Sequence, residues 1–228
     1  EGVHCHIGSN VFAASNFAKA AEVMAKFAAP YGLPELTLGG GLGVAYVESE
    51  EAPSISAWGS VLLDACRSLG VTADVSVEPG RAIVASSAIT VYTVGTIKPI
   101  PGIRTYVSVD GGMSDNPRPV LYGSGYEAFV PTRAHAQRTK TVRIVGKHCE
   151  SGDVLLKDLA LPPATTGDVL AVFATGAYNA SMASNYNRIP RPAAVLVHEG
   201  EAELVQRREQ PEELLRYDVL PERLRPVP

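Results

Sequence analysis

Leu36-Thr37-Leu38-Gly39-Gly40-Gly41-Leu42-Gly43 reads as a short apolar strand that stops on a run of glycines. On the upstream side, Ser15 begins an alanine-rich helix to about Ala29, with Phe17, Ala20, Ala21, Met24 and Phe27 on one apolar face. Val3 to Ile7, followed by Gly8-Ser9-Asn10, reads as an earlier strand that runs into a turn. On the downstream side, Ser54 is placed to cap a second helix to about Leu69, which Gly70 stops. Val75-Ser76-Val77 is a third strand, ending at Glu78-Pro79-Gly80-Arg81. Strand, helix, strand, helix, strand is the α/β order, and it predicts parallel strands with functional loops at their C-terminal ends.

The texture changes after Ile83. Runs beginning at Ile89, Thr105, Thr141, Asp168 and Ala193 are rich in β-branched residues and are separated by Gly, Pro and Asp turns. The fold class predicted is therefore α/β plus β: β/α units over residues 1–83, then a β domain over 84–228 with a short C-terminal helix starting at Pro211. Three β/α units cannot close a barrel of about eight strands, and an open three-stranded sheet leaves apolar edges. Either a partner chain or earlier sequence is expected to complete it.

Composition narrows the function classes. With 46% hydrophobic residues, 19% charged residues and a net charge of −4, the chain reads as globular. The longest basic run is Arg207-Arg208, so nucleic acid is not an expected partner. No apolar stretch approaches the ~20 residues of a membrane span, and Glu1-Gly2-Val3-His4 lacks the pattern of a secretion signal. A cytoplasmic compartment is expected. Three scattered cysteines, Cys5, Cys66 and Cys149, suggest no disulfide framework.

Several constellations can carry chemistry. Alternation places His4 and His6 on one strand face, but no third ligand is identifiable by spacing, and no metal is expected. Gly8-Ser9 and the loop Gly39 to Gly43 permit close backbone approach to an anion. The glycine loop is not a dinucleotide fingerprint, because Val44 or Tyr46 falls at the third glycine. Glu78 and Arg81 put opposite charges at a strand mouth, where a local ion pair and a ligand site are both open readings. Arg118 and Tyr122, four residues apart in a polar loop from Asp110, could clamp a carboxylate. Cys149 lies beside Glu150 and Asp153; carboxylates raise a thiol's pKa, so it suits a proton donor better than a nucleophile.

In order, His4-Cys-His-Ile-Gly-Ser9, Gly39-Gly-Gly-Leu-Gly43, Glu78-Pro-Gly-Arg81, Val109-Asp-Gly-Gly-Met-Ser-Asp-Asn116, Gly146-Lys-His-Cys-Glu-Ser-Gly-Asp153 and Gly176-Ala-Tyr178 span almost the whole chain. Together they resemble the meso-diaminopimelate decarboxylases, pyridoxal-phosphate enzymes of the alanine-racemase-like fold. The resemblance implies the last three units of a (β/α)8 barrel followed by a β domain, and decarboxylation of meso-diaminopimelate to L-lysine and CO2. It implies that His6 stacks on the cofactor, that Ser9, Gly41 and Gly80 surround its phosphate, and that Glu78 faces its ring nitrogen. A carboxylate there keeps the ring protonated as an electron sink. Arg81, Arg118 and Tyr122 match positions that hold the substrate's distal carboxylate, Glu150 its distal ammonium, and Tyr178 contacts cofactor and substrate. Cys149, the implied proton donor, and Glu150 cross a homodimer interface into the neighbouring site.

One departure is decisive. The family's Schiff-base lysine lies in an early barrel motif, and none of Lys19, Lys26, Lys98, Lys140, Lys147 or Lys157 suits that role. The chain is therefore expected to be the C-terminal portion of a longer polypeptide and inactive alone. Alternatives are a sister decarboxylase of ornithine or arginine, a non-catalytic regulatory homologue, and a metal-dependent hydrolase resting on His4 and His6.

Overall fold

A computed structural model describes residues 1–225. Three short strands, β1 (Gly2–His4), β2 (Glu35–Thr37) and β3 (Asp74–Ser76), alternate with the helices α1 (Ala14–Ala28) and α2 (Ile55–Ser68). The strands pair in parallel in the order β1-β2-β3. Each is three residues long, and single backbone bonds continue the pairing past its end. α2 starts where the sequence places it, with the Ser54 hydroxyl accepting from the Ala57 N–H at 3.1 Å. It ends at Gly70, whose φ of +68° suits a residue without a Cβ. Both helices turn their apolar stripe inward, and Phe17 meets Trp58 edge-on with ring centroids 5.4 Å apart. Leu36, Leu38, Leu42, Leu62 and Cys66 complete that cluster.

The short α3 (Gly80–Val84) leads into the second part. There β4 (Thr90–Ile100), β5 (Arg104–Val109), β6 (Ala128–Phe129), β7 (Lys140–Val145), β8 (Val154–Leu161) and β9 (Val169–Val172) form one sheet in the order β6-β9-β4-β5-β7-β8. Only β5 and β7 run parallel; the other neighbours are antiparallel. β4 passes from β9 to β5 through a register shift between Val94 and Ile97, which bends the sheet over its own core. That core contains Val94, Val107, Ile144, Leu155, Leu161, Leu170 and Val172. α4 (Arg118–Tyr122) and α5 (Asn179–Met182) are single turns in the connections. A hairpin of β10 (Ala194–His198) and β11 (Glu201–Gln206) lies apart from the sheet.

The C-terminal helix expected at Pro211 is instead a 3₁₀ turn, Pro211–Leu215. Gln210 and Glu213 cap one another's backbone there, and Leu215 remains exposed, so no buried apolar face exists to extend the turn into an α-helix. Among the described residues no helix is long and apolar enough to cross a membrane.

Candidate active site

The three parallel strands end side by side, and backbone bonds beyond them hold their loops in register: Cys5 N–H to Thr37 O at 3.0 Å, Leu38 N–H to Ser76 O at 2.9 Å, and Glu78 N–H to Gly39 O at 2.7 Å. The loops touch because glycine lets them. A side chain at Gly40 would overlap the Glu78 carbonyl, and one at Gly41, where φ is +95°, would overlap the Gly8 carbonyl. Gly8 and Gly80 border open space instead. His6 lies over this floor, its Nδ1 accepting from the Gly40 N–H at 3.3 Å. His4 Nε2 meets Glu78 Oε2 at 2.9 Å. Glu78 therefore pairs with His4 and not with Arg81, which leaves the guanidinium free to reach elsewhere.

Arg81 donates to the Ser9 hydroxyl at 2.7 Å and to the Tyr46 hydroxyl at 2.8 Å, and lies 4.8 Å from the centre of the Tyr178 ring. Arg118, contributed from the other side by α4, lies 4.7 Å from the Tyr46 ring and 5.6 Å from the Tyr178 ring. Two guanidiniums thus share two tyrosine faces, whose negative quadrupoles offset part of their mutual repulsion. Arg118 is only 5% exposed and donates to the Tyr126 hydroxyl at 3.1 Å, which in turn reaches Asn179 Oδ1 at 3.5 Å. Tyr178 adopts a φ of +72°, a sparsely populated conformation for a residue with a side chain. Its strain presents the ring to both arginines.

Ser9, Arg81, Arg118 and Tyr178 line a cleft of about 400 Å³, together with Asn10, Tyr122, Ser124 and Met182. No carboxylate and no lysine is among its lining residues. Tyr122 stands one helical turn from Arg118 and is 67% exposed, so its ring hangs over the opening. The arrangement is built for an anion, with planar donors on one wall and aromatic surface on the other.

Cys149 and Glu150 are not brought into this cleft. They sit exposed in the turn between β7 and β8, where Glu150 accepts from the Gly152 N–H at 3.1 Å and from the Tyr186 hydroxyl at 3.4 Å. The strand-mouth residues and the thiol-bearing turn therefore lie at separate places in the chain.

Sequence reasoning did not find Tyr46, Tyr126 or Asn179. Tyr46 entered it only as a mismatch to a glycine fingerprint, yet it is 5% exposed, and its ring packs at 5.1 Å against Tyr126 inside the core of the second part. A tyrosine in an otherwise small-residue loop was the only signal. Two buried pairs were equally missed: Tyr92–Asp115, at 2.5 Å, which joins segments 23 residues apart, and His148–Asp153, at 2.7 Å, which closes on itself within one short motif.

Residues 19–176 match the family described as pyridoxal-dependent decarboxylase, C-terminal sheet domain. The diaminopimelate decarboxylase of Synechocystis is 50% identical over 98% of this chain and 50% of its own length. That of Bacillus subtilis is 45% identical over 96% of this chain and 52% of its own. Among solved structures, diaminopimelate decarboxylase from M. jannaschii in co-complex with L-lysine superposes with a TM-score of 0.91 at 32% identity, covering 98% of this chain and 52% of that one. The chain spans about half the length of the curated relatives it matches. With its glycine-lined loops, its paired arginines and this match across most of its length, the chain belongs to the pyridoxal-dependent decarboxylases.

Proposed function

We propose that this chain supplies the substrate-carboxylate and cofactor-phosphate side of an enzyme that decarboxylates meso-diaminopimelate to L-lysine and CO2. The observation that carries the reading is the cleft itself. Arg81 and Arg118 converge there with Ser9 and Tyr178, on a chain 50% identical to a diaminopimelate decarboxylase. In this reading residues 1–83 are the last three units of a (β/α)8 barrel and residues 84–228 the β domain. Two features support that boundary: Ala82 packs on the helix-flanked cluster, while Ala85 is buried in the sheet's core.

The residues present fit pyridoxal phosphate. The Gly39 to Gly41 floor, the openings at Gly8 and Gly80 and the Ser9 hydroxyl form a cradle for its phosphate. Glu78 and His6 stand beside that cradle, where a carboxylate would face the ring nitrogen and an imidazole the ring. When bound, the cofactor supplies the electron sink for the pair left by CO2 loss. The chain's own residues do the rest. Arg81, Arg118 and Tyr122 hold the distal carboxylate and orient the substrate, while Tyr178 covers it. Glu150 accepts the distal ammonium, and the Cys149 thiol delivers a proton to the α-carbon. Because Cys149 and Glu150 project from an exposed turn away from the chain's own cleft, we assign them to the site of a second copy in a homodimer. A cytoplasmic location accompanies this reading.

The test is turnover. The complete protein, loaded with pyridoxal phosphate, is expected to release CO2 from meso-diaminopimelate with L-lysine as product. The 228 residues alone, with no lysine in the cleft, are expected to release none. Turnover of ornithine or arginine in its place would assign a sister reaction.

A further inference from the structure

Asp153 closes the Cys149-Glu150-Ser151-Gly152-Asp153 element, and nothing above gives it a task. Its side chain is 2% exposed, and all its partners are donors. Oδ1 accepts from the Met113 N–H at 2.8 Å, and Oδ2 accepts from the His148 N–H at 3.0 Å and faces His148 Nδ1 at 2.7 Å. Two glycines make room for it. A side chain at Gly112 or at Gly146 would overlap the Asp153 carboxylate, so one group explains a glycine in each of two distant motifs. The segment with Gly112 and Met113 runs directly into α4, which carries Arg118 and Tyr122. The segment with Gly146 and His148 carries Cys149 and Glu150. On the far side of His148, whose side chain is fully buried, the Tyr186 ring stacks at 5.7 Å and 11°, and its hydroxyl donates to Glu150.

We propose that Asp153 is a positioning residue, a joint that fixes the arginine-bearing loop and the cysteine–glutamate turn in one mutual geometry, with His148 as the second half of the lock on the turn. A carboxylate is required because every neighbour donates. An amide of the same volume would satisfy Met113 and turn its own donor toward His148, leaving buried donors unpaired. His148 holds only the turn, so its loss should free one segment, and loss of both Asp153 oxygens should free both. The joint stands on this geometry alone; its consequence for substrate rests on the activity proposed above.

Hydrogen exchange on the complete protein tests the joint without any assay of turnover. Asp153→Ala, which removes both acceptor oxygens, is expected to speed exchange at least about tenfold in 111–116 and 146–153 together, with β4 and β9 unchanged, whereas Asp153→Asn, which still accepts from Met113, is expected to speed only 146–153. His148→Phe, which keeps an aromatic ring against Tyr186, is expected to speed only 146–153. Acceleration in a single segment by Asp153→Ala, or uniform acceleration across the sheet, would overturn the proposal. In the holoenzyme, Asp153→Ala should also raise KM for meso-diaminopimelate about tenfold or more, and an unchanged KM counts against the joint. If the wild type does not turn over meso-diaminopimelate, the proposed activity falls and the exchange pattern alone decides the joint.

Discussion

Arg118 is the most constrained charge in the cleft, because burial, a tyrosine hydroxyl and two ring faces all fix its guanidinium. Lysine keeps the charge but neither the planar fork nor the stacking. In the complete enzyme with the activity proposed above, Arg118→Lys is therefore expected to raise KM for meso-diaminopimelate at least about tenfold while kcat changes little, in steady-state kinetics. Asp115 poses a different problem. Burial pushes its carboxyl up, and the Tyr92 hydroxyl and the Gly112 N–H pull it back only in part. A raised carboxyl contributes stability below its ordinary value of 3.8 and loses it as pH climbs through the raised one. Asp115→Asn does not titrate. Urea midpoints should shift in the variant's favour, relative to the wild type, as pH rises from 4 toward neutrality. Arg81, a charge at a strand mouth, and Arg118, a cation in a polar loop, stood out in the sequence as local patterns, and both line the cleft. Tyr46 and Asp153 did not, since their meaning lies in contacts tens of residues away.

At the scale of elements, the helices were the most readable. α1 and α2 lie within a residue of their predicted starts and ends, because apolar periodicity is local, as are the serine cap and terminating glycine of α2. The Ser54 cap makes a direct test, with Ser54→Ala expected to cost about 1 kcal/mol of unfolding free energy in denaturant titration. Strands fared less evenly. β4, β5, β7, β9 and β10 fall on the predicted β-rich runs, but β6, β8 and β11 were not foreseen. β6 is two residues long, and β8 is interrupted by charges at Lys157 and Asp158, with Asp158 at a φ of +53° breaking its alternation. β11 carries Glu201 and Glu203 and buries nothing, so no burial pattern marks it.

The molecule as a whole joins two clusters that differ in finish. The bent six-stranded sheet wraps its own core, whereas the parallel sheet stops at three strands with β1 and β3 open along their outer edges. Val23, Phe27 and Tyr31 add exposed apolar surface beside it. Open edges recruit partners, so the 228-residue chain alone is expected to self-associate, its sedimentation coefficient rising with concentration. A concentration-independent monomer would contradict this. The sequence reading foresaw three parallel strands separated by helices, since each rests on a local pattern; it could not foresee that Tyr46 crosses from the first cluster into the second. Finally, the chain carries a net charge of −4, yet its cleft gathers two guanidiniums with no carboxylate beside them. At physiological ionic strength such a pair attracts small counter-ions from solvent. For the substrate proposed above, entry would then displace chloride, and its apparent affinity is expected to weaken as chloride rises while kcat holds.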